Sequence, residues 1–160
     1  LIGLVGSEMC IRDRFYDMAG FDYDEFAALF DASPKKNLVI IGTSHGSEES
    51  ARQQRDYVAR IVEQYGEGYD IFFKPHPADT SSAGYETEFP GLTLLPGQMP
   101  FEIFVWALID RVDMIGGYPS TVFLTVPLDK VRFIFAANAE SMARPLNILF
   151  RDATDVEWMQ

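Results

Sequence analysis

The chain has 160 residues, of which 13 are Lys or Arg and 24 are Asp or Glu, so its formal net charge is −11 at pH 7. This acidic balance argues against nucleic acid as a partner, because a duplex-binding surface carries an excess of basic residues. Hydrophobic residues make up 48% of the chain and charged residues 23%, which is typical of a chain that folds around a packed core, and the length favours one domain.

The first 14 residues, Leu1–Arg14, are set apart from the rest of the chain. Their sequence, LIGLVGSEMCIRDR, resembles the peptide that results when sequencing-adapter DNA is translated at the edge of an assembled metagenomic read. It lacks the basic n-region and the small-residue cleavage site of a signal peptide. The alternative is a genuine, strand-forming terminus. We expect residues 1–14 to be an artefact and residues 15–160 to be the C-terminal part of a longer natural protein.

Strands and helices alternate along the rest of the chain. Early acids and apolar spacing predict a short helix over Asp22–Phe30, and an unbroken apolar run predicts a buried strand at the start of Asn37–Gly46. Ser47 is placed to cap a helix that ends at Gly66, because apolar residues recur between them at helical spacing. Tyr69–Lys74 is the next predicted strand.

The second half continues this alternation. Asp79–Glu86 is predicted to be a polar loop and Leu92–Leu95 a short strand, and Pro100 opens a helix. The remaining predicted elements are a strand over Val112–Ile115, a short helix over Pro119–Thr125, a strand over Val131–Phe135, a helix over Ser141–Phe150 and a strand over Val156–Met159. Strands separated by helical crossovers predict an α/β fold with a Rossmann-like, doubly wound sheet.

Three polar clusters follow predicted strands, at Gly42–Gly46, Lys74–Pro77 and Gly116–Thr121. Ligands bind beyond the carboxyl ends of parallel strands, so the clusters predict a site at one edge of the sheet. In the third cluster two glycines allow a close backbone approach, and Ser120 and Thr121 stand where a helix N-terminus would favour phosphate. The alternative is an ordinary turn with Ser120 as N-cap. Neither a dinucleotide fingerprint nor a P-loop sequence is present.

Individual polar residues in these clusters have two interpretations each. His76, between Pro75 and Pro77, can donate to a phosphate or protonate a leaving group, or it can satisfy a turn carbonyl. Glu102, in the first turn of its helix, can bind ribose hydroxyls or simply stabilise the helix dipole. Lys74 is expected to extend its ammonium into solvent at the strand end.

Other kinds of site are disfavoured. With a single cysteine, Cys10, the chain cannot form an intrachain disulfide or a multi-cysteine metal site. Two histidines without carboxylates at matching spacing disfavour a catalytic metal, and His45 is interpreted as a loop residue. The longest apolar-rich window, Phe101–Ile109, has about half of the roughly 20 residues that a membrane span needs.

The ordered set of FFKPHP, PFE and GGYPST, followed by a short helix and a strand, resembles the bacterial sialyltransferases of glycosyltransferase family 80. The resemblance runs from Phe21 to Met159 and includes the strand end Ile41–Thr43. It implies that the chain is the C-terminal, nucleotide-binding lobe of a GT-B glycosyltransferase. It also implies inverting transfer of sialic acid from CMP-sialic acid to a galactose-type glycan, with no metal and no other cofactor.

The resemblance assigns roles to individual residues. His76 would contact the CMP phosphate and assist its departure, Ser120 and Thr121 would hold the same phosphate, and Glu102 would bind the ribose hydroxyls. The other residues expected to line the nucleotide are Gly42, Thr43, Lys74, Pro75, Pro77 and Phe101.

The chain departs from the family pattern in three places. KPHP replaces KGHP, which removes a backbone N–H near the base, and Thr121 replaces a serine. The loop after Gly42 lacks the tryptophan that the family uses as a lid, and His45 stands nearby instead. The exact donor is therefore less firmly indicated than its class.

The family's general base is an aspartate of the N-terminal lobe, which this chain does not contain. We therefore expect the acceptor to bind through that missing lobe, and the chain alone to bind nucleotide without catalysing transfer. Two alternatives stay open: another HP-motif GT-B transferase, polysialyl- or CDP-glycerol-dependent, and a non-catalytic nucleotide-binding module. We expect a cytoplasmic location, or one peripheral to the inner membrane.

Overall fold

The computed structural model describes the backbone of residues 2–160 and the side chains of residues 10–160. Within this part of the chain the strands are β1 (Lys36–Ile41), β2 (Tyr69–Lys74), β3 (Leu92–Leu94), β4 (Met114–Gly117), β5 (Val131–Ile134) and β6 (Glu157–Trp158). The helices are α1 (Ile2–Ala19), α2 (Tyr23–Phe30), α3 (Glu48–Tyr65), α4 (Tyr85–Glu88), α5 (Phe101–Leu108) and α6 (Leu146–Leu149). None of these helices is long and apolar enough to cross a membrane.

The strands form one parallel sheet in the order β3-β2-β1-β4-β5-β6. The chain first adds strands on one side of β1 and then adds the rest on the other side. This reversal makes the boundary between β1 and β4 the topological switch point, where ligands bind in doubly wound sheets. The predicted α/β, Rossmann-like fold is confirmed.

The unbroken apolar run in β1 reflects a sheet that is covered on both faces. Leu38 and Ile40 pack with α3 on one face, while Val39 and Ile41 pack on the other face with α2 and α5. Successive side chains of a strand point to opposite faces, so a strand buried on both sides needs apolar residues at every position. The strand predicted at the start of Asn37–Gly46 is therefore confirmed, and it ends at Ile41.

Local capping signals place the helices correctly. The Ser47 side chain accepts a hydrogen bond from the N–H of Ser50 at 3.2 Å, and α3 begins at the next residue. The α3 helix ends one residue before Gly66, as predicted, and α2 is capped by Asp22. Strand β2 has the bounds that the sequence predicts. These elements follow from signals that lie within each element itself.

Several predicted boundaries are wrong. Asp79–Glu86 is partly helical, with a 3₁₀ turn at Ser81–Gly84 that leads into α4, because Asp79 Oδ1 accepts from the N–H of Ser81 at 2.8 Å. The helix predicted over Ser141–Phe150 is only the single turn α6. Pro145 lacks a donor and disfavours the helical conformation of the residue before it.

At the amino end, Leu1 lies outside the described residues, and the rest of the segment predicted to be an artefact forms the first part of α1. The strand-forming alternative for this terminus is therefore wrong. The expectation that residues 1–14 do not belong to the natural domain stays a prediction.

Candidate functional site

A cavity of about 250 Å³ lies at the carboxyl edge of the sheet, beside the ends of β1, β2 and β4. It is lined by Ile41, Gly42, Lys74, Pro75, His76, Pro77, Gln98, Met99, Pro100, Phe101, Glu102, Ser120, Thr121 and Val122. A larger depression of about 530 Å³ lies beside α1 and α2, away from the polar clusters. Of the ten predicted site residues, the structure brings nine together in the smaller cavity; Thr43 is the exception.

Lys74 is the last residue of β2, and only 5% of it is exposed. Its Nζ donates to the carbonyl oxygens of Pro75 at 2.8 Å and Gly97 at 2.9 Å. Burial lowers the pKa of Lys74 to about 8, and the nearby carboxylate of Glu102 offsets part of this effect. The expectation that the ammonium extends into solvent is wrong, because the loop after β3 lies over the end of β2 and takes up the donor. Lys74 thus ties two loops of the cavity together.

His76 is exposed, and its ring is held by the turn that follows it. The N–H of Ala78 donates to His76 Nδ1 at 3.1 Å, and the N–H of Asp79 donates to the His76 carbonyl at 2.9 Å. A ring nitrogen that accepts a hydrogen bond carries no hydrogen, so the neutral imidazole has its hydrogen on Nε2. His76 can therefore donate from Nε2.

The turn after His76 is anchored to the middle of α3 by Gln54, which is 0% exposed. Gln54 Nε2 donates to Asp79 Oδ2 at 3.2 Å and to Tyr85 Oη at 3.3 Å, while Gln54 Oε1 accepts from the N–H of Thr43 at 3.1 Å. The Thr43 backbone is therefore bonded to α3, and Thr43 does not line the cavity. Burial raises the pKa of Asp79, but hydrogen bonds from Ser81, Ser82 and Gln54 outweigh this and hold it below its usual range.

Sequence reasoning missed Gln54, although a signal was present. With Tyr57, Val58 and Ile61, it occupies positions i, i+3, i+4 and i+7 of α3, and these are its four buried residues. A glutamine on the apolar face of an amphipathic helix must have buried partners. Gln98 was also missed; its Nε2 donates to the carbonyl oxygen of Pro77 at 2.8 Å.

The two glycines at the end of β4 serve the packing of the sheet. Gly117 has a φ of +128°, and a Cβ atom there would overlap the backbone of Ile41. A Cβ atom at Gly116 would overlap the ring of Phe133. Packing against neighbouring strands is thus a sufficient reason for both glycines, and neither of them lines the cavity.

Ser120 caps a single 3₁₀ turn, Thr121–Leu124, rather than the longer helix predicted over Pro119–Thr125. The Ser120 hydroxyl oxygen accepts from the N–H of Val122 at 3.3 Å, and the Ser120 carbonyl accepts from the N–H of Phe123 at 3.1 Å. Two backbone N–H groups at the start of this turn, those of Val122 and Phe123, are thus already bonded within the turn. The Ser120 hydroxyl still has its own hydrogen to donate, and the Thr121 side chain lines the same cavity.

Helix α5 supplies the opposite wall. It begins immediately after Pro100, so Phe101 and Glu102 lie in its first turn at the cavity. Phe101 is buried and packs against Phe104, with ring centroids 5.7 Å apart, whereas Glu102 is half-buried. The carboxylate can accept hydrogen bonds from a polyol. Within residues 10–160, no three His, Cys, Asp or Glu side chains are grouped so that they could hold a metal ion.

His45 lies away from this cavity. Its ring packs edge-on to Tyr118, with centroids 6.1 Å apart, and its Nε2 atom is buried without a hydrogen-bond partner among the described residues. This placement agrees with its interpretation as a loop residue.

A family model described as sialyltransferase PMO188 matches residues 56–154. Among solved structures, the chain is similar to an α/β-galactoside α-2,3-sialyltransferase from Photobacterium phosphoreum, with 26% identity and a TM-score of 0.68, covering 91% of this chain and 42% of that one. It is also similar to the GT-B domain of a sialyltransferase from Photobacterium damselae, with 24% identity and a TM-score of 0.72, covering 91% and 44%.

A third similar structure is the 2,6-sialyltransferase of Photobacterium sp. JT-ISH-224 in a ternary complex with the donor product CMP and the acceptor substrate lactose. It is 20% identical with a TM-score of 0.68, covering 90% of this chain and 34% of that one. The chain thus spans less than half of each of these proteins. A search of curated proteins found no match. The predicted likeness to part of a GT-B fold is confirmed.

Proposed function

The chain belongs to the family described as sialyltransferase PMO188, and from this premise we propose that residues 15–160 form the donor-binding lobe of an inverting, metal-independent sialyltransferase. The enzyme transfers sialic acid from CMP-sialic acid to a galactose-type glycan. The observation that carries the proposal is the one cavity in which His76, Glu102, Ser120 and Thr121 meet at the switch point of the sheet.

The cavity offers chemically suitable contacts for the ribose, the base and the phosphate of CMP. The Glu102 carboxylate accepts from the ribose hydroxyls, and the cytosine lies against Pro75 and Phe101. The phosphate lies where His76 Nε2 and the hydroxyls of Ser120 and Thr121 donate to it. A hydrogen bond whose acceptor is an ionised phosphate is charge-assisted and about twice as strong as a neutral one, so the Nε2–H of the neutral His76 ring makes a strong contact there.

The reaction follows from this placement. The acceptor hydroxyl oxygen attacks the anomeric carbon on the face opposite the phosphate, and the bond from that carbon to the phosphate oxygen breaks. Negative charge grows on the CMP phosphate, where His76, Ser120 and Thr121 stabilise it. The hydroxyl proton passes to an aspartate that the family resemblance places in a second lobe, through which the glycan binds. The chain alone therefore binds nucleotide without transferring sugar.

Calorimetry with the 160-residue chain tests the donor class. CMP should bind more tightly than UMP or AMP, because the loop at Pro75–Pro77 reads the base edge. In wild type, 2′,3′-dideoxy-CMP should bind more weakly than CMP because it lacks both hydroxyls. Glu102→Gln should reduce this difference, since the neutral amide is the weaker acceptor. Equal or tighter binding of UMP or AMP would contradict the cytidine assignment. If CMP and 2′,3′-dideoxy-CMP differ in affinity by the same amount in wild type and in Glu102→Gln, the role of Glu102 is contradicted.

A further inference from the structure

A buried polar relay joins α3 to the turn that holds the His76 ring. Gln54 is completely buried, and its amide is bonded at both ends: Oε1 accepts from the N–H of Thr43, while Nε2 donates to Asp79 Oδ2 and to Tyr85 Oη. Neither Gln54 nor Asp79 lines the cavity. Any effect of this pair on a ligand must therefore pass through the residues between them and the cavity.

Only one orientation of the Gln54 amide satisfies all of its hydrogen bonds. A backbone N–H is always a donor, so the N–H of Thr43 requires the oxygen of the amide, and the nitrogen is left facing Asp79. Asp79 in turn has both carboxylate oxygens engaged, because Oδ1 accepts from the backbone N–H and the hydroxyl of Ser81 at 2.8 and 2.6 Å. An amide at position 79 would point its own NH₂ group either at the Gln54 NH₂ group or at the N–H of Ser81, so two donors would face each other.

Asp79 is connected to His76 by the backbone of the turn. The N–H of Asp79 donates to the His76 carbonyl, and the preceding N–H, that of Ala78, donates to His76 Nδ1. The position of the Ala78 N–H thus sets both the rotation of the imidazole and the nitrogen that carries its hydrogen. Pro75 and Pro77 are held separately, by Lys74 and Gln98.

We propose that Gln54 and Asp79 are positioning residues that orient His76 so that its Nε2–H donates into the cavity. This inference rests on the proposed function only in taking the ligand of the cavity to be CMP. The pair acts on the phosphate contact alone, because the base-contacting residues Pro75 and Pro77 have anchors of their own.

Isosteric substitutions test the pair in the 160-residue chain. Asp79→Asn should weaken CMP binding about tenfold, the loss of one well-directed charge-assisted hydrogen bond, and should leave cytidine binding unchanged within about twofold. Gln54→Glu alone should have a similar effect, because it sets two carboxylates against each other. A matched control is Asp155→Asn, which makes the same change at an exposed position near β6.

Exchanging the two groups should restore the relay. In the double variant Gln54→Glu with Asp79→Asn, one carboxylate oxygen at position 54 accepts from the N–H of Thr43. The other oxygen accepts from the new amide and from the Tyr85 hydroxyl, while the amide oxygen still accepts from Ser81. The donors of Thr43, Tyr85, Ser81 and the new amide thus have acceptors again, and the net charge is that of wild type. CMP affinity should return to within about threefold of wild type, a recovery that additive damage would not produce.

Nitrogen NMR of the His76 ring supplies a readout that needs no ligand. Wild type should show the Nε2–H tautomer, Asp79→Asn a mixture of tautomers, and the double variant the Nε2–H tautomer again. If wild type and Asp79→Asn have the same ring spectrum and the same ratio of CMP to cytidine affinity, the relay is wrong. If the ring spectra change as described while wild type does not bind CMP, the relay stands and the proposed function fails.

Discussion

The loop after β2 and the turn after β4 both end at the cavity, but they are held in place in opposite ways. The loop from Lys74 to Asp79 is held by polar side chains, with Lys74 Nζ bonded to Gly97 and Asp79 bonded to Gln54. The turn that ends at Thr121 follows two glycines, and their missing side chains let β4 lie against β1 and β5.

This difference has consequences for how each part of the cavity responds to change. A polar anchor depends on charge and on the match of donors with acceptors, so it responds to pH and to substitutions that preserve shape. A steric anchor depends on volume alone, so it responds to a single added methyl group and not to pH. One side of the cavity is thus set by electrostatics and the other by close packing.

The largest expected effect is on the steric side. Gly117→Ala should lower the free energy of unfolding by about 4 kcal/mol, because it adds both a positive-φ alanine and an overlap with the backbone of Ile41. Gly91→Ala isolates the first cause, since Gly91 has a φ of +87° with open space around it, and it should cost about 1 kcal/mol. Urea unfolding measures both, and equal losses for the two variants would show that packing against Ile41 is not what requires the glycine.

The next largest effect is on CMP affinity, and it compares the phosphate contact of His76 with that of Thr121. His76→Asn keeps an acceptor for the N–H of Ala78 but removes the Nε2 donor, so it should weaken CMP binding by about 2 kcal/mol and leave cytidine binding unchanged. Thr121→Val removes the hydroxyl of an exposed residue and leaves the neighbouring Ser120 hydroxyl to donate, so it should cost about 1 kcal/mol or less. Calorimetry with CMP and cytidine measures the loss for each variant. A larger loss from Thr121→Val than from His76→Asn would move the main phosphate contact to the turn after β4.

The smallest expected effect is a dependence of protein stability on pH, which arises from Lys74 at the start of the loop after β2. The pKa of Lys74 is about 8 in the folded protein, below its ordinary value of 10.5, so above pH 8 the unfolded chain binds a proton that the folded protein has released. Stability from this group therefore rises with pH between 8 and 10.5. Between pH 7.5 and 9.5, wild type should gain about 1 to 2 kcal/mol relative to Lys74→Met.

Guanidinium unfolding at several pH values measures this difference. Lys36→Met, at the exposed first position of β1, controls for the loss of one positive charge. Parallel pH profiles for wild type and Lys74→Met would mean that the buried ammonium does not titrate in this range, and that the polar anchor is not sensitive to pH.

The sequence by itself determined the elements whose signals are local. The unbroken apolar run of β1, the Ser47 cap and the apolar spacing of α3 each lie within a few residues of the structure they specify. It also determined that three polar clusters would meet, because the carboxyl ends of parallel strands lie at the same edge of a sheet. Seven of the nine predicted site residues that line the cavity belong to these clusters, whereas Phe101 and Glu102 come from the PFE motif of the family resemblance.

Only the tertiary structure decided how that site is held. The partner of Lys74 is the carbonyl of Gly97, the partner of Gln54 is Asp79, and the neighbour of Gly116 is the ring of Phe133. Each partner comes from another element, and whether a polar group is buried or a side chain has room depends on which element packs against it. The same holds for α4, because its Tyr85 is buried in the same cluster as Tyr57 and Val58 of α3 and accepts a hydrogen bond from Gln54. A pattern read along one segment carries no information about which distant segment will cover it.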